Sequence, residues 1–106
     1  MDIRWRTWTD DLLVRARAER KPVLLWITAS WCKPCDDMER LTFGDAALQR
    51  TLERECLAVR VDRDDLPHVD ALYNQGGWPS TVLLGPHGEI LVGGTFIDAE
   101  HLRALL

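Results

Sequence analysis

No apolar stretch in this 106-residue chain approaches the ~20 residues that a membrane-spanning helix needs; the longest uninterrupted run is Val23 to Ile27. The opening "MDIRWRTWTDD" also lacks the apolar core of a signal peptide. A cytoplasmic protein is expected if the chain is complete as given, and a periplasmic or extracytoplasmic one if a leader has been removed. Lysine is scarce: Lys21 and Lys33 are the only two, arginine supplies the other positive charges, and the formal net charge is −4. Without a basic surplus, no nucleic-acid partner is expected. No repeat, low-complexity tract or linker divides the chain, so residues 1–106 read as one domain. An apolar fraction of 46% and a charged fraction of 28% are ordinary for a globular protein. A chain of this size can build a core without a stapling metal or disulfide framework.

Cysteine is also sparse. Of the three, Cys32 and Cys35 lie close together and Cys56 is remote. Disulfide-stapled secreted folds spread even numbers along the chain, so the pattern here is a local dithiol with a bystander. Cys56 is expected to fill core space as a small hydrophobe.

What is present reads as alternating helices and strands. Thr9 to Arg20 is expected to be a helix capped by Thr9, with acids at its start, basic residues near its end and Pro22 beyond it. "VLLWIT" is apolar at every position but its last, as a strand covered on both faces is. Helical character resumes after Cys32, with Cys35, Met38 and Leu41 or Thr42 sharing a face. Gly44 ends that run and Asp45 can cap a further helix, "AALQRTLERE". "CLAVRVD" is a second strand, and Pro67 suits the first turn of a short helix through about Asn74. "STVLL" and "EILVG", joined by "GPHG", form an antiparallel hairpin. Asp98 starts a final helix that offers Leu102, Leu105 and Leu106 to the sheet. Two strands linked by a helical crossover are parallel, and the hairpin adds two more. The expected fold is α/β: a three-layer sandwich with a mixed central sheet of about four strands flanked by helices.

"ASWCKPCDDM" carries the chemistry. A C-x-x-C pair that follows a buried strand and opens a helix puts its first sulfur at unpaired backbone N–H groups and the positive end of the helix dipole. Such thiols ionise below the usual ~8.5, and the thiolate is the nucleophile. Cys32 is therefore expected to be partly exposed, low in pKa and the attacking thiol. Cys35, one turn on and facing inward, would resolve the mixed disulfide. Pro34 fits the first turn, and Lys33 adds a positive charge beside Cys32. Asp36 and Asp37 work against the thiolate, although they are also ordinary helix starters.

"WCKPC" after an apolar strand, with "GGWPST" well downstream, resembles the thioredoxin superfamily over almost the whole chain. Residues 21–45 resemble the thioredoxin-like domain that ends the membrane thiol:disulfide interchange proteins. Residues 61–96 more closely resemble the thioredoxin-like domain of the spermatogenesis-associated (YyaL-type) family. The resemblance implies a thioredoxin fold, with Pro79 as a cis-proline beside the dithiol and the backbone of Trp78 facing a bound peptide. Trp31 and Trp78 would then flank the dithiol as an apolar rim. One departure stands out: thioredoxin carries a buried aspartate six residues before its first cysteine, where this chain has Trp26. Glu39 or water is left to take the proton of the resolving thiol.

Zinc is the competing reading of C-x-x-C. It requires two further ligands, and neither a second C-x-x-C nor a suitable histidine pair follows, which leaves only Cys56 with His68. His87 and His101 are expected to be solvated, Trp26 to lie in the core, and Trp5 and Trp8 to form a lid over one sheet edge. The sequence thus points to a thiol–disulfide oxidoreductase that needs no metal or cofactor. Its expected partners are protein or peptide thiols and disulfides, with an upstream redox partner, and it is expected to act as a monomer. The alternative is a thioredoxin-like binding or accessory module whose dithiol is idle.

Overall fold

A computed structural model describes residues 3–106. Its elements run α1 (Leu12–Glu19), β1 (Val23–Thr28), α2 (Lys33–Leu41), α3 (Ala46–Glu55), β2 (Leu57–Asp62), α4 (Pro67–Tyr73), β3 (Ser80–Leu84), β4 (Ile90–Gly94) and α5 (Ala99–Leu105). The four strands form one sheet in the order β2-β1-β3-β4. β1 and β2 are parallel and start together, with Val23 opposite Leu57. β3 lies antiparallel to both β1 and β4.

All six residues of β1 are buried, because both faces of the sheet are covered. Leu24 and Trp26 point to one core with Cys35, Met38, Leu48, Leu52 and Leu102, from α2, α3 and α5. Val23, Leu25 and Ile27 point to a second core with Leu12, Ala16 and Val69, from α1 and α4. This two-residue alternation in an unbroken apolar strand makes a three-layer sandwich.

Local signals set most boundaries. The Asp45 carboxylate accepts the N–H of Leu48 at 2.9 Å and caps α3, and Asp98 does the same for His101 in α5. A Cβ on Gly44 would collide with the Arg40 carbonyl, so the turn between α2 and α3 requires glycine. The inner face of α2 is Cys35, Met38 and Thr42, while Leu41 is exposed. Beyond α5's start, Leu102 is buried and Leu106 packs against the first core, while Leu105 is exposed.

One expectation needs correction. α1 starts at Leu12 instead of Thr9: the Thr9 hydroxyl bonds the Asp11 carboxylate at 2.6 Å, so it caps nothing. The expected cover of a sheet edge by Trp5 and Trp8 is found: the segment before α1 runs along β2, the edge strand, through a bridge between Arg6 and Val59. Trp5 therefore packs with the first core and Trp8 with the second.

Cys56 sits at the end of α3 and is buried. It lies at the starting end of the parallel strands, whereas Cys32 follows the finishing end of β1, and six strand residues span roughly 20 Å. Cys56 is thus remote from Cys32, and no group of three or more His, Cys, Asp or Glu side chains among the described residues is arranged to hold a metal ion. Burial, helped by Glu55 and opposed by Lys21, pushes the Cys56 thiol from 9.0 to about 11. Below pH 9 both folded and unfolded chains keep this proton. As pH rises further the unfolded chain loses it first, so folding loses stability. Urea unfolding of the reduced protein between pH 8 and pH 11 should show wild type losing about 2 kcal/mol more than Cys56→Ala. Equal losses would refute the buried, protonated thiol.

Candidate active site

β1 delivers the chain to a tight turn, in which the Cys32 N–H donates to the Ala29 carbonyl at 3.2 Å. Cys32 then takes an extended conformation (φ −99°, ψ 109°) as the residue that caps α2. Its sulfur does the work that a serine or aspartate oxygen usually does, accepting the Cys35 N–H at 3.2 Å. The Cys32 thiol in turn donates to the Trp78 carbonyl at 3.5 Å. Cys35 is buried behind it on the inner face of α2. The Trp78–Pro79 peptide bond is cis.

Trp31 is 62% exposed, and its ring meets that of Trp78 edge-to-face at 5.6 Å. Trp78 is anchored from beneath. Its indole N–H donates to the buried Asp70 carboxylate at 2.9 Å, which also accepts the Asn74 amide at 2.9 Å. The Arg63 guanidinium lies 4.7 Å from the centre of the Trp78 ring, and its Nε is 3.8 Å from Asp70. Asn74 accepts the N–H groups of Gly76 and Gly77 at 2.7 and 3.1 Å, and the Ser80 hydroxyl donates to the Gly77 carbonyl at 2.6 Å. The loop that presents Trp78 to Cys32 is therefore fixed at both ends.

The electrostatics differ from those expected of the motif. Cys32 is 5% exposed, and burial is the largest influence on its thiol. The Cys35 side chain and the charge of Asp36 push the same way, the Cys35 N–H pushes back, and the thiol ends at about 11 instead of below the usual value. Desolvation, the Cys35 thiol and Asp36 together outweigh the one backbone N–H that favours the anion. Lys33 gives no relief, because its ammonium pairs with Asp37 at 3.1 Å. Trp26, in place of a buried acid, is fully buried, with the Trp5 ring 5.6 Å away and the Arg60 guanidinium 5.1 Å from its ring. Arg60 is held by an ion pair with Glu39, so the Glu39 carboxylate is engaged over that indole.

Residues 1–105 match the family model Thioredox_DsbH, described as "Protein of unknown function, DUF255". The chain belongs to the Thioredox_DsbH family. Human Spermatogenesis-associated protein 20 is 35% identical over 104 residues, covering 91% of this chain and 13% of the human protein. Thiol:disulfide interchange protein DsbD of Yersinia pestis is 32% identical over 100 residues, or 85% of this chain and 17% of DsbD. The chain thus spans under a fifth of these relatives. The solved structure "DsbH Oxidoreductase" superposes with a TM-score of 0.85 over 99% of this chain and 83% of that one, at 20% identity. The fold is the thioredoxin fold, and the family resemblance read from the sequence holds.

Within this Thioredox_DsbH site, Trp31, Cys32, Cys35, Trp78 and Pro79 gather at one end of the sheet, with Pro34 in the first turn of α2. Asp70, Arg63 and Asn74 were not anticipated. Asp70 and Asn74 stand four apart on a legible helix, but nothing in the sequence says that a tryptophan N–H closes on them.

The raised Cys32 thiol gives a direct expectation. Iodoacetamide labelling of Cys32, followed by peptide mapping, should be at least about tenfold slower at pH 7.5 than for an ordinary thiol of pKa ~8.5. It should keep climbing beyond pH 9, and Asp36→Asn should move the profile to lower pH. A plateau by pH 7 would show a low-pKa thiolate instead.

Proposed function

We propose that this domain is a thiol–disulfide oxidoreductase that acts on protein or peptide substrates. The observation that carries the proposal is the position of the Cys32 sulfur, between the Cys35 N–H at 3.2 Å and the Trp78 carbonyl at 3.5 Å. One neighbour is the resolving cysteine of the same helix turn. The other is backbone that an extended peptide can pair with once the thiol releases it.

The chemistry is a two-step exchange. The Cys32 thiolate attacks one sulfur of a substrate disulfide, forming a mixed disulfide and expelling the other substrate sulfur as a thiolate. Cys35, deprotonated, then attacks the Cys32 sulfur, closing the Cys32–Cys35 disulfide and releasing the second substrate thiolate. The two protons lost by Cys32 and Cys35 end on the substrate thiols, and two electrons pass to the substrate. A partner dithiol must re-reduce the pair, or the sequence runs backwards and the domain oxidises its partner. Trp31, Trp78 and Pro79 serve as the peptide contact, and Asp36 opposes the thiolate in the free protein.

The burial of Cys32 favours a second reading. A thiol protonated at neutral pH attacks slowly, as expected of a binding or accessory module whose dithiol is idle. Insulin reduction in the presence of dithiothreitol separates the two: an oxidoreductase accelerates it, a binding module leaves it at the dithiothreitol rate. Trapping adds the order of attack. Cys35→Ser should retain a substrate in a dithiothreitol-sensitive mixed disulfide, and Cys32→Ser should retain none, as read by pull-down from a lysate free of reducing agent. Equal recovery from both variants would overturn the order.

A further inference from the structure

The rim of the dithiol carries a charge pattern that the proposed exchange does not use. β1 and β2 finish side by side, with Thr28 opposite Asp62, and the Arg63 N–H donates to the Thr28 carbonyl at 2.9 Å. The loop that follows β2 therefore begins beside the turn that carries Trp31 and Cys32. It carries Asp64 and Asp65 next to Asp62, the last residue of β2, while Asp36 lies one residue beyond Cys35.

The cations of this rim are already engaged. Lys33 pairs with Asp37 at 3.1 Å, and Arg40 reaches the same carboxylate at 3.6 Å. Arg63 pairs with Asp64 at 3.1 Å while its guanidinium lies over Trp78. The exposed carboxylates of Asp36 and Asp65 have no ion-pair partner among the described residues, and Asp62 accepts the Asp64 backbone N–H at 2.8 Å. The exposed Trp31 ring, with the half-buried Trp78 behind it, thus lies beside acids of which Asp36 and Asp65 have no ion-pair partner among the described residues.

We propose that the Trp31–Trp78 face, with Asp36 and the Asp62–Asp65 loop on its rim, receives an extended peptide that carries a lysine or arginine next to its cysteine. The proposal rests on the peptide-exchange reading and names its substrate class. The aliphatic stem of such a residue covers the Trp31 indole while its charged head reaches the carboxylates. The open Trp31 ring also attracts the cation directly, since Arg63 already lies over that of Trp78. A bound cation near Asp36 further offsets one of the charges that hold Cys32 protonated, so docking and activation of the thiol favour the same peptides.

The test separates docking from chemistry. Two peptides identical except for arginine or glutamate beside the reactive position, with serine in place of cysteine, are titrated into the reduced domain and followed by tryptophan emission. In about 20 mM salt the arginine peptide should bind at least tenfold more tightly, about the effect of two partly screened charge contacts. That advantage should fall below about threefold in about 0.5 M salt and in the Asp36→Asn/Asp65→Asn double variant. Circular dichroism of the double variant checks that it is folded. Affinities within about twofold of each other, tighter binding of the glutamate peptide, no binding of either, or an undiminished preference in the folded double variant would each overturn the proposal. If the preference holds while insulin reduction fails, docking stands and the oxidoreductase reading falls.

Discussion

A sulfur atom caps α2 where an oxygen usually would, and the position of everything else at the site follows from that contact. For Cys32 to accept the Cys35 N–H, the chain must leave β1 and enter the helix within a few residues. β1 can be that abrupt because it is central, buried on both faces and paired on both edges. Its neighbour β3 begins at the same end of the sheet, which brings the Trp78 carbonyl against the same sulfur. Moving the start of α2 by one residue would turn the thiol toward the core or into solvent, since side chains advance about 100° per helical residue.

Desolvation and polarity pull on that sulfur in opposite directions. The amide of Cys35 favours the anion, while the apolar walls, the neighbouring thiol and Asp36 favour the neutral form, and the second group prevails. Trp26 contributes to this balance. A carboxylate in that strand position would bring charge and water toward the core. An indole packed against Trp5 and Arg60 keeps that place filled and leaves its own N–H without a partner among the described residues.

The fold was largely legible because its signals are local. The apolar run of β1, the acids that cap α3 and α5, and Gly44 each mark an element through neighbours close in sequence. The dithiol was legible for the same reason. Burial of Cys32 was not, since it depends on how the loop before β3 closes over the helix end, and a helix-end argument sees only the amide. The Asp70–Trp78–Arg63 arrangement joins a loop, a helix and a turn, and none of the three residues has a spacing that announces the others. The cover of an edge by the N-terminal tryptophans was legible from their apolar character, but not that the Arg6–Val59 bridge sends them to opposite faces of the sheet.

The distance between Cys56 and Cys32 also makes the protein a recorder of its own history. A disulfide needs Cα atoms within about 7 Å, and most of the length of β1 separates these two residues. No covalent bond can join them while the sheet is intact. A molecule found with its own Cys56 linked to its own Cys32 was oxidised while its sheet was not formed, and it keeps that mark until a thiol reduces it.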